Sequence, residues 1–343
     1  MQRILTLGML AALGGISWLF LQGGGLDQIA VGRADRAPSP TVFGQGVGSR
    51  NAGPSRQQPP APSPHTEVTP LTDAQTVRIA SFNIQVFGKT KASKPYVMNG
   101  LADIVRQFDL VAIQEIRTQD KYLMPNFVKL INQAGRKYDH VCSERIGDTN
   151  VKEQYAFVFD TEQIDIDFQS VYTVSDPDNM LHREPLVATF RSRSVRPDEA
   201  FTFTLINVHT DPDRVPEELD ALAEVYRVVR RAGPNEDDII ILGDLNTDDR
   251  HLYRLGQLPG VHPLISGVST NTRQNRQYDN LIIHQPSTTE YAGRSGVFDI
   301  MRQYNLSQQQ ALEVSDHFPV WAEFSVYERD YAGRIATRRR VGR

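Results

Sequence analysis

The sequence predicts an α+β protein in which β-sheets stack on one another and helices lie outside them. Two observations predict it: strand-like runs outnumber helix-like ones, and the strand-like runs often follow one another directly along the chain. A doubly wound sheet would instead alternate strand with helix. With 343 residues, of which 40% are hydrophobic, a sizeable core is available. A net charge of -4 gives no global footprint of nucleic-acid binding, so any such binding must come from a local basic surface. The lone Cys142 excludes an intramolecular disulfide and a cysteine-based zinc site.

Met1-Gln-Arg3 precedes an apolar run from Ile4 to Leu21. This predicts that residues 1–24 are an export signal, either a cleaved signal peptide or an uncleaved N-terminal membrane anchor, and that the remainder is secreted or anchored facing outside the cytoplasm. Residues 25–75 are rich in Pro, Ser, Gly and Gln, as in Gln57-Gln-Pro-Pro-Ala-Pro-Ser-Pro64. Such composition buries too little apolar surface to offset ordering entropy, which predicts a disordered tether. An ordered domain is expected over 76–328, followed by a basic, solvated tail over 329–343.

Within the domain, Val77 to Asn83 is apolar on both alternating faces, as in a strand covered on both sides. Helical periodicity follows from Tyr96 to Phe108, then a short apolar run, Leu110 to Ile113, that ends abruptly on Gln114, Glu115 and Arg117. A second helical pattern spans Tyr122 to Ala134, and Gly135 closes it. Strands are predicted at Gln154–Phe159, Ile164–Val174, Pro185–Phe190, Phe201–Val208, Ile239–Leu242, Tyr278–Ile283 and Phe318–Val326. The clearest helix is Pro216 to Arg231. Leu219, Leu222, Tyr226 and Val229 form one stripe, Glu217 and Glu218 suit its first turn, and arginines suit its last.

Several strand ends carry polar clusters: Ser81-Phe-Asn83, Gln114-Glu115, Asn207-Val-His209, Gly243-Asp-Leu-Asn246, Tyr278-Asp279 and Ser315-Asp-His317. Any one of them reads as an ordinary turn or a satisfied histidine. Together they point to a site, because ligands in folds of this class collect at strand ends. The chemistry that uses such a set is phosphoester hydrolysis. A hard cation such as Mg2+ takes oxygen ligands, which Glu115, Asp244, Asp316 and the Asn83 amide supply. His209 and His317 can move protons near neutral pH if a carboxylate fixes each ring, and Asn246 offers an amide to developing charge.

Residues 77 to about 328 resemble the endonuclease/exonuclease/phosphatase superfamily, and within it the deoxyribonuclease I branch. The resemblance is carried by Phe82-Asn-Ile84 with Phe87-Gly88, Ile113-Gln-Glu-Ile-Arg117, Lys152-Glu153, Arg183-Glu-Pro185, Val208-His209, Gly243-Asp-Leu-Asn246, Tyr278-Asp279 and Ser315-Asp-His317. It implies a four-layer sandwich of two mostly antiparallel sheets flanked by helices, and an endonuclease that hydrolyses DNA phosphodiester bonds by water attack, with double-stranded DNA as partner and Mg2+, or Mn2+ or Ca2+, as cofactor. It also implies that Glu153 orients His209, that Asp279 orients His317, and that Glu115 is the principal metal ligand beside Asn83, Asp244 and Asp316. Asn246, Arg183 and Arg117 would meet substrate, Arg183 at a phosphate and Arg117 in the minor groove.

This chain departs from that branch in having Val151 where a tyrosine lies on the minor groove, and Gln85 and Asn280 where arginines stand. Two other readings stay open at this point: a phosphoinositide or sphingomyelin phosphodiesterase or phosphatase of the same superfamily, and a non-catalytic binding module.

Overall fold

The computed structural model describes residues 75–148, 152–233 and 236–329, all within one unit, Glu67–Arg343. The export segment, the tether up to residue 74, the basic tail from residue 330 and Val151 lie outside the described residues. Twelve strands form two sheets. The first has the order β11-β12-β1-β2-β4-β3, built from β1 (Thr76–Phe87), β2 (Leu110–Ile116), β3 (Tyr138–Cys142), β4 (Gln154–Asp160), β11 (Tyr291–Val297) and β12 (Val320–Ser325). The second has the order β5-β6-β7-β8-β10-β9, built from β5 (Ile164–Thr173), β6 (Leu186–Ser192), β7 (Thr202–His209), β8 (Ile239–Asp244), β9 (Val261–Pro263) and β10 (Asp279–His284). Each sheet is antiparallel except for one parallel pair, β1 with β2 and β7 with β8.

The two sheets stack through a core in which phenylalanines cross the seam. Phe157 and Phe159 of β4 meet Phe190 of β6 at ring separations of 5.3 and 5.9 Å, and Phe201, ahead of β7, stacks on Phe324 of β12 at 5.8 Å. Each fully buried ring contributes roughly 1.5–3 kcal/mol by leaving water. The outer face of the first sheet is covered by α1 (Lys89–Ala92), α2 (Pro95–Val105), α3 (Leu123–Ile131), and further on by α6 (Ile300–Tyr304) and α7 (Gln308–Val314). The outer face of the second is covered by α4 (Val215–Ala232) and the short α5 (Tyr253–Gly256). Helix, sheet, sheet and helix make the four layers expected from the sequence. Among the described residues no helix is long and apolar enough to cross a membrane.

The helix expected over Pro216 to Arg231 is α4, with Leu219, Leu222, Tyr226 and Val229 buried and Pro216 in its first turn. The pattern from Tyr122 to Ala134 resolves into α3 and a 3-10 turn, Asn132–Ala134, closed by Gly135 at φ 94°. α2 ends at Val105, three residues before the predicted Phe108. Missing from the sequence reading were β3, β9, β11 and the short helices. β11 is an edge strand interrupted by Gly293 at φ 74°, with a register shift between Tyr291 and Ser295, so it shows no alternation. α7 starts on a capping box, Ser307 with Gln310, that few apolar residues follow. Cys142 is a free thiol on β3, which burial pushes up to about 12, so it is inert.

Candidate active site

Strand direction assembles the site. In the parallel pair β1–β2, Asn83 lies beside Gln114, one residue before Glu115; in β7–β8, His209 lies beside Asp244. β10 runs antiparallel to β8 and begins at Asp279, which pairs with Asp244. The chain ahead of β12 then lays Ser315, Asp316 and His317 over the same edge, where the Ser315 hydroxyl donates to the Asn83 carbonyl at 2.7 Å.

Two histidine–carboxylate pairs result. His209 Nδ1 is 2.8 Å from Glu153 Oε1, and His317 Nδ1 is 2.9 Å from Asp279 Oδ2. The other ring nitrogens converge: Nε2 of His209 and Nε2 of His317 are each 3.5 Å from the same oxygen, Asp244 Oδ2. Both pairs straddle the seam, since Glu153 leads into the first sheet and His209 ends a strand of the second, while Asp279 belongs to the second and His317 leads into the first. Asn83 Nδ2 donates to Asp244 Oδ2 at 2.9 Å and to Glu115 Oε1 at 3.2 Å, and the Val86 amide donates to Glu115 Oε2 at 2.8 Å. Glu115 and Asn246 hold left-handed backbones at φ 62° and 50°. Such strain costs on the order of 1–3 kcal/mol each and persists where surroundings impose it.

Burial opposes charge on His317, but Asp279 and Asp244 outweigh it and push the ring up to about 10. His209 is raised in the same way, with Glu153 and Asp244 outweighing burial. Burial would raise Glu153, yet His209, Arg183 and Arg117 hold it below the usual range. Both rings are thus biased toward their protonated form by the neighbouring carboxylates, while burial and Asp244 raise Asp279 in turn.

The oxygen donors suit a hard cation. The Asn83 amide bridges Asp244 and Glu115, and Asp316 Oδ1, buried without a hydrogen-bond partner, lies 3.8 Å from His317 Nε2. The tightest acid–histidine cluster is Asp244, Asp279 and His317. Only Asp244 is common to this trio and to the ligand set read from the sequence. Because Asp279 and His317 are committed to each other at 2.9 Å, they read as a proton-handling pair and not as ligands.

Residues 80–317 match the model of the Endonuclease/Exonuclease/phosphatase family. Over 267 residues the chain is 31% identical to deoxyribonuclease gamma of Rattus norvegicus, covering 73% of this chain and 85% of that protein. Over 262 residues it is 31% identical to deoxyribonuclease-1 of Sus scrofa, covering 72% of this chain and 91% of that one. The chain belongs to the Endonuclease/Exonuclease/phosphatase family. Solved structures agree in fold: a family protein from Bacteroides thetaiotaomicron superposes with TM-score 0.50 at 15% identity, over 74% of this chain and 98% of that one. Humanized D. rerio TDP2 superposes with TM-score 0.52 at 15% identity, over 73% and 99%.

Within this family member, the site residues expected to act in catalysis, metal binding or substrate contact lie at or beside the one edge, but two are set differently from expectation. Arg183 is turned inward, 8% exposed, donating to the His209 carbonyl at 3.0 Å and the Thr210 carbonyl at 3.2 Å. A guanidinium so committed positions the histidine strand and is not free to grip a phosphate. Arg117 lies across the site, its Nη2 3.1 Å from Glu115 and its Nε 3.5 Å from Glu153, instead of reaching outward. Asn246 gives one amide hydrogen to the Thr210 carbonyl at 2.8 Å. Asn280 is buried and double-bonded to the Ile265 backbone, donating to its carbonyl at 2.8 Å and accepting from its amide at 3.0 Å.

Sequence reading missed Thr270 and Lys91. The Thr270 hydroxyl donates to Asp279 Oδ2 at 2.7 Å, but it sits in a loop that no periodicity marks. Lys91 donates to the Ile84 and Val314 carbonyls under the site and is lowered to about 8 by burial, against Asp316 and Glu115. Nothing in Lys89-Thr-Lys91 distinguishes it from a solvated lysine.

Proposed function

We propose that this chain is an exported, divalent-metal-dependent endonuclease that hydrolyses phosphodiester bonds of double-stranded DNA by water attack. The observation that carries the reading is the convergence of both histidine Nε2 atoms on one Asp244 oxygen, with each Nδ1 fixed by a separate carboxylate. Glu115, Asn83, Asp244 and Asp316 would hold the cation, Mg2+ by its preference for oxygen, and when bound it supplies neutralisation of phosphate charge. One histidine takes the proton of the attacking water at Nε2, and the other gives a proton to the leaving oxygen. Glu153 and Asp279 hold the rings in place and stabilise them when charged. Asn246 donates toward the developing charge, and Arg183 fixes the backbone of His209. Relatives named deoxyribonucleases support DNA as substrate, and the apolar run Ile4 to Leu21 supports export, whether as a signal or as an anchor.

The test is nicking of supercoiled plasmid with Mg2+ and with chelator, beside hydrolysis of phosphoinositide and sphingomyelin. Nicking that EDTA abolishes, with both lipids left intact, is expected; lipid turnover without nicking would overturn the reading. Glu115→Gln should need on the order of ten- to hundredfold more Mg2+ for half-maximal nicking, because it removes a formal charge from the cation site.

Duplex grip is expected to be weak at two positions. By the family resemblance, Val151 stands where an aromatic ring would press on sugar and base edges and Gln85 where an arginine would, and valine is a small apolar side chain while glutamine carries no charge. Such ring contacts are worth at most about 1–3 kcal/mol. Val151→Tyr with Gln85→Arg should lower KM for duplex DNA with little change in kcat, since ground and transition states gain alike. An unchanged KM would show that these positions do not face the duplex.

A further inference from the structure

At the opposite pole of the sandwich, a whole β8 away or roughly 20 Å, three carboxyls meet. Asp238 stands immediately ahead of β8, Glu290 immediately ahead of β11, and Glu328 just past β12, and one oxygen of each lies within 4.8 Å of the others. Asp238 and Glu290 are 1% and 0% exposed, while Glu328 opens to solvent. Their outer oxygens are satisfied by the backbone: Glu290 Oε1 accepts from the Arg329 amide at 2.6 Å, and Glu328 Oε2 from the Thr202 amide at 3.1 Å. The inner ones are not. No hydrogen bond of ordinary geometry reaches Asp238 Oδ1 or Glu290 Oε2, and the buried Thr288 hydroxyl, itself without one, faces Asp238 and only partly offsets the rise of its carboxyl.

Among the described residues no lysine or arginine forms an ion pair with any of the three. Arg329, the nearest cation to Glu290, turns its guanidinium to the Thr289 carbonyl at 3.2 Å. Buried carboxylates without donors are costly unless a cation or a proton sits among them.

We propose that this pole is a divalent-cation site of the calcium class, with Asp238, Glu290 and Glu328 as carboxylate ligands and Thr288 as a neutral oxygen. The donor set selects the ion. Ca2+ takes several carboxylates and neutral oxygens directly from the protein in a flexible geometry, whereas Mg2+ usually keeps several waters and takes one or two carboxylates. Asp238 belongs to the second sheet and Glu290 and Glu328 to the first, so the ion ties the sheets together at the end away from the histidines. The rival arrangement is a set of shared protons, since burial followed by mutual repulsion pushes Asp238 up to about 9 and Glu328 up to about 7. The site takes no part in the proposed reaction.

The experiment is equilibrium dialysis of the full chain against CaCl2 at pH 8, with melting curves in CaCl2 and in EDTA. The Asp238→Asn/Glu290→Gln variant should bind one Ca2+ fewer than the parent and lose the calcium-induced rise in Tm, while its Mg2+-supported nicking is unchanged. Glu115→Gln, altered at the other pole, should keep that rise. Glu328→Gln, on the exposed rim, spares the buried packing and should weaken Ca2+ binding on the order of tenfold. Equal stoichiometry and an equal rise in parent and double variant would overturn the site. A parent whose Tm ignores CaCl2, beside a double variant that melts higher, would mean shared protons and would overturn it too.

Discussion

His209→Ala and His317→Ala are each expected to lower plasmid nicking by about two to four orders of magnitude, the usual worth of a positioned acid or base, without unfolding the protein. The rings are buried, but the carboxylates they leave behind keep other partners. Glu153 retains Arg183 at 3.4 Å and Arg117 at 3.5 Å, and Asp279 retains the Thr270 hydroxyl at 2.7 Å. Melting points should therefore fall by only a few degrees. With both rings acting on one phosphate, as proposed, the double variant should lose far less than the product of the single losses. Single-turnover nicking under saturating Mg2+ measures this, and parent-level rates in both single variants would mean that the assigned proton transfers are wrong.

Gly243→Ala is expected to have the largest effect on stability. Gly243 sits at φ 154° beside Val208 in the parallel pair, and a Cβ there would fall 1.9 Å from the Val208 carbonyl oxygen and 2.9 Å from Val208 Cγ2. Neither neighbour can give way without opening β7 from β8 where His209 faces Asp244. Overpacking with a disallowed backbone should cost about 3 kcal/mol or more, a drop in Tm of roughly 6 °C or more for a domain of this size. Gly267→Ala is the comparison. Gly267 also has a positive φ, 66°, but nothing lies within 4 Å of its missing Cβ, so only the backbone term of about 1–2 kcal/mol applies. Equal melting points for the two variants would mean that the Val208 contact relaxes freely.

The buried strands were legible because both faces are apolar: β1, β2, β4, β7 and β8 all show continuous runs, and their ends carried the chemistry. Three of the four edge strands were not: β3, β9 and β11 bury little, and β11 is broken by glycine, so their identity comes from their pairing partners, whereas the longer edge strand β5 was read as Ile164 to Val174. The same holds for the site. Glu115, His209, Asp244 and His317 could be picked out as strand-end residues, but no spacing says that Glu153 meets His209 across the seam, and the resemblance alone supplied it. Arg183 and Arg117 show the limit of motif transfer. A charge at the right place in a motif fixes its address, and only packing decides whether it faces substrate or a carbonyl.

Beneath the histidines, Asn207 of the second sheet reaches across the seam. Its Oδ1 accepts from Gln114 Nε2 at 2.7 Å, and its Nδ2 donates to the Ile113 and Ala156 carbonyls at 3.2 and 3.1 Å. Greasy contact between two sheets has no preferred offset, whereas three directional bonds from one amide do. Asn207 thus acts as a dowel that sets the alignment of two half-molecules, neither of which owns a complete histidine–carboxylate pair. Turnover in such a build depends on alignment before it depends on folding, so on warming nicking is expected to fall before the far-ultraviolet circular dichroism of the sheets does, and coincident losses would count against it.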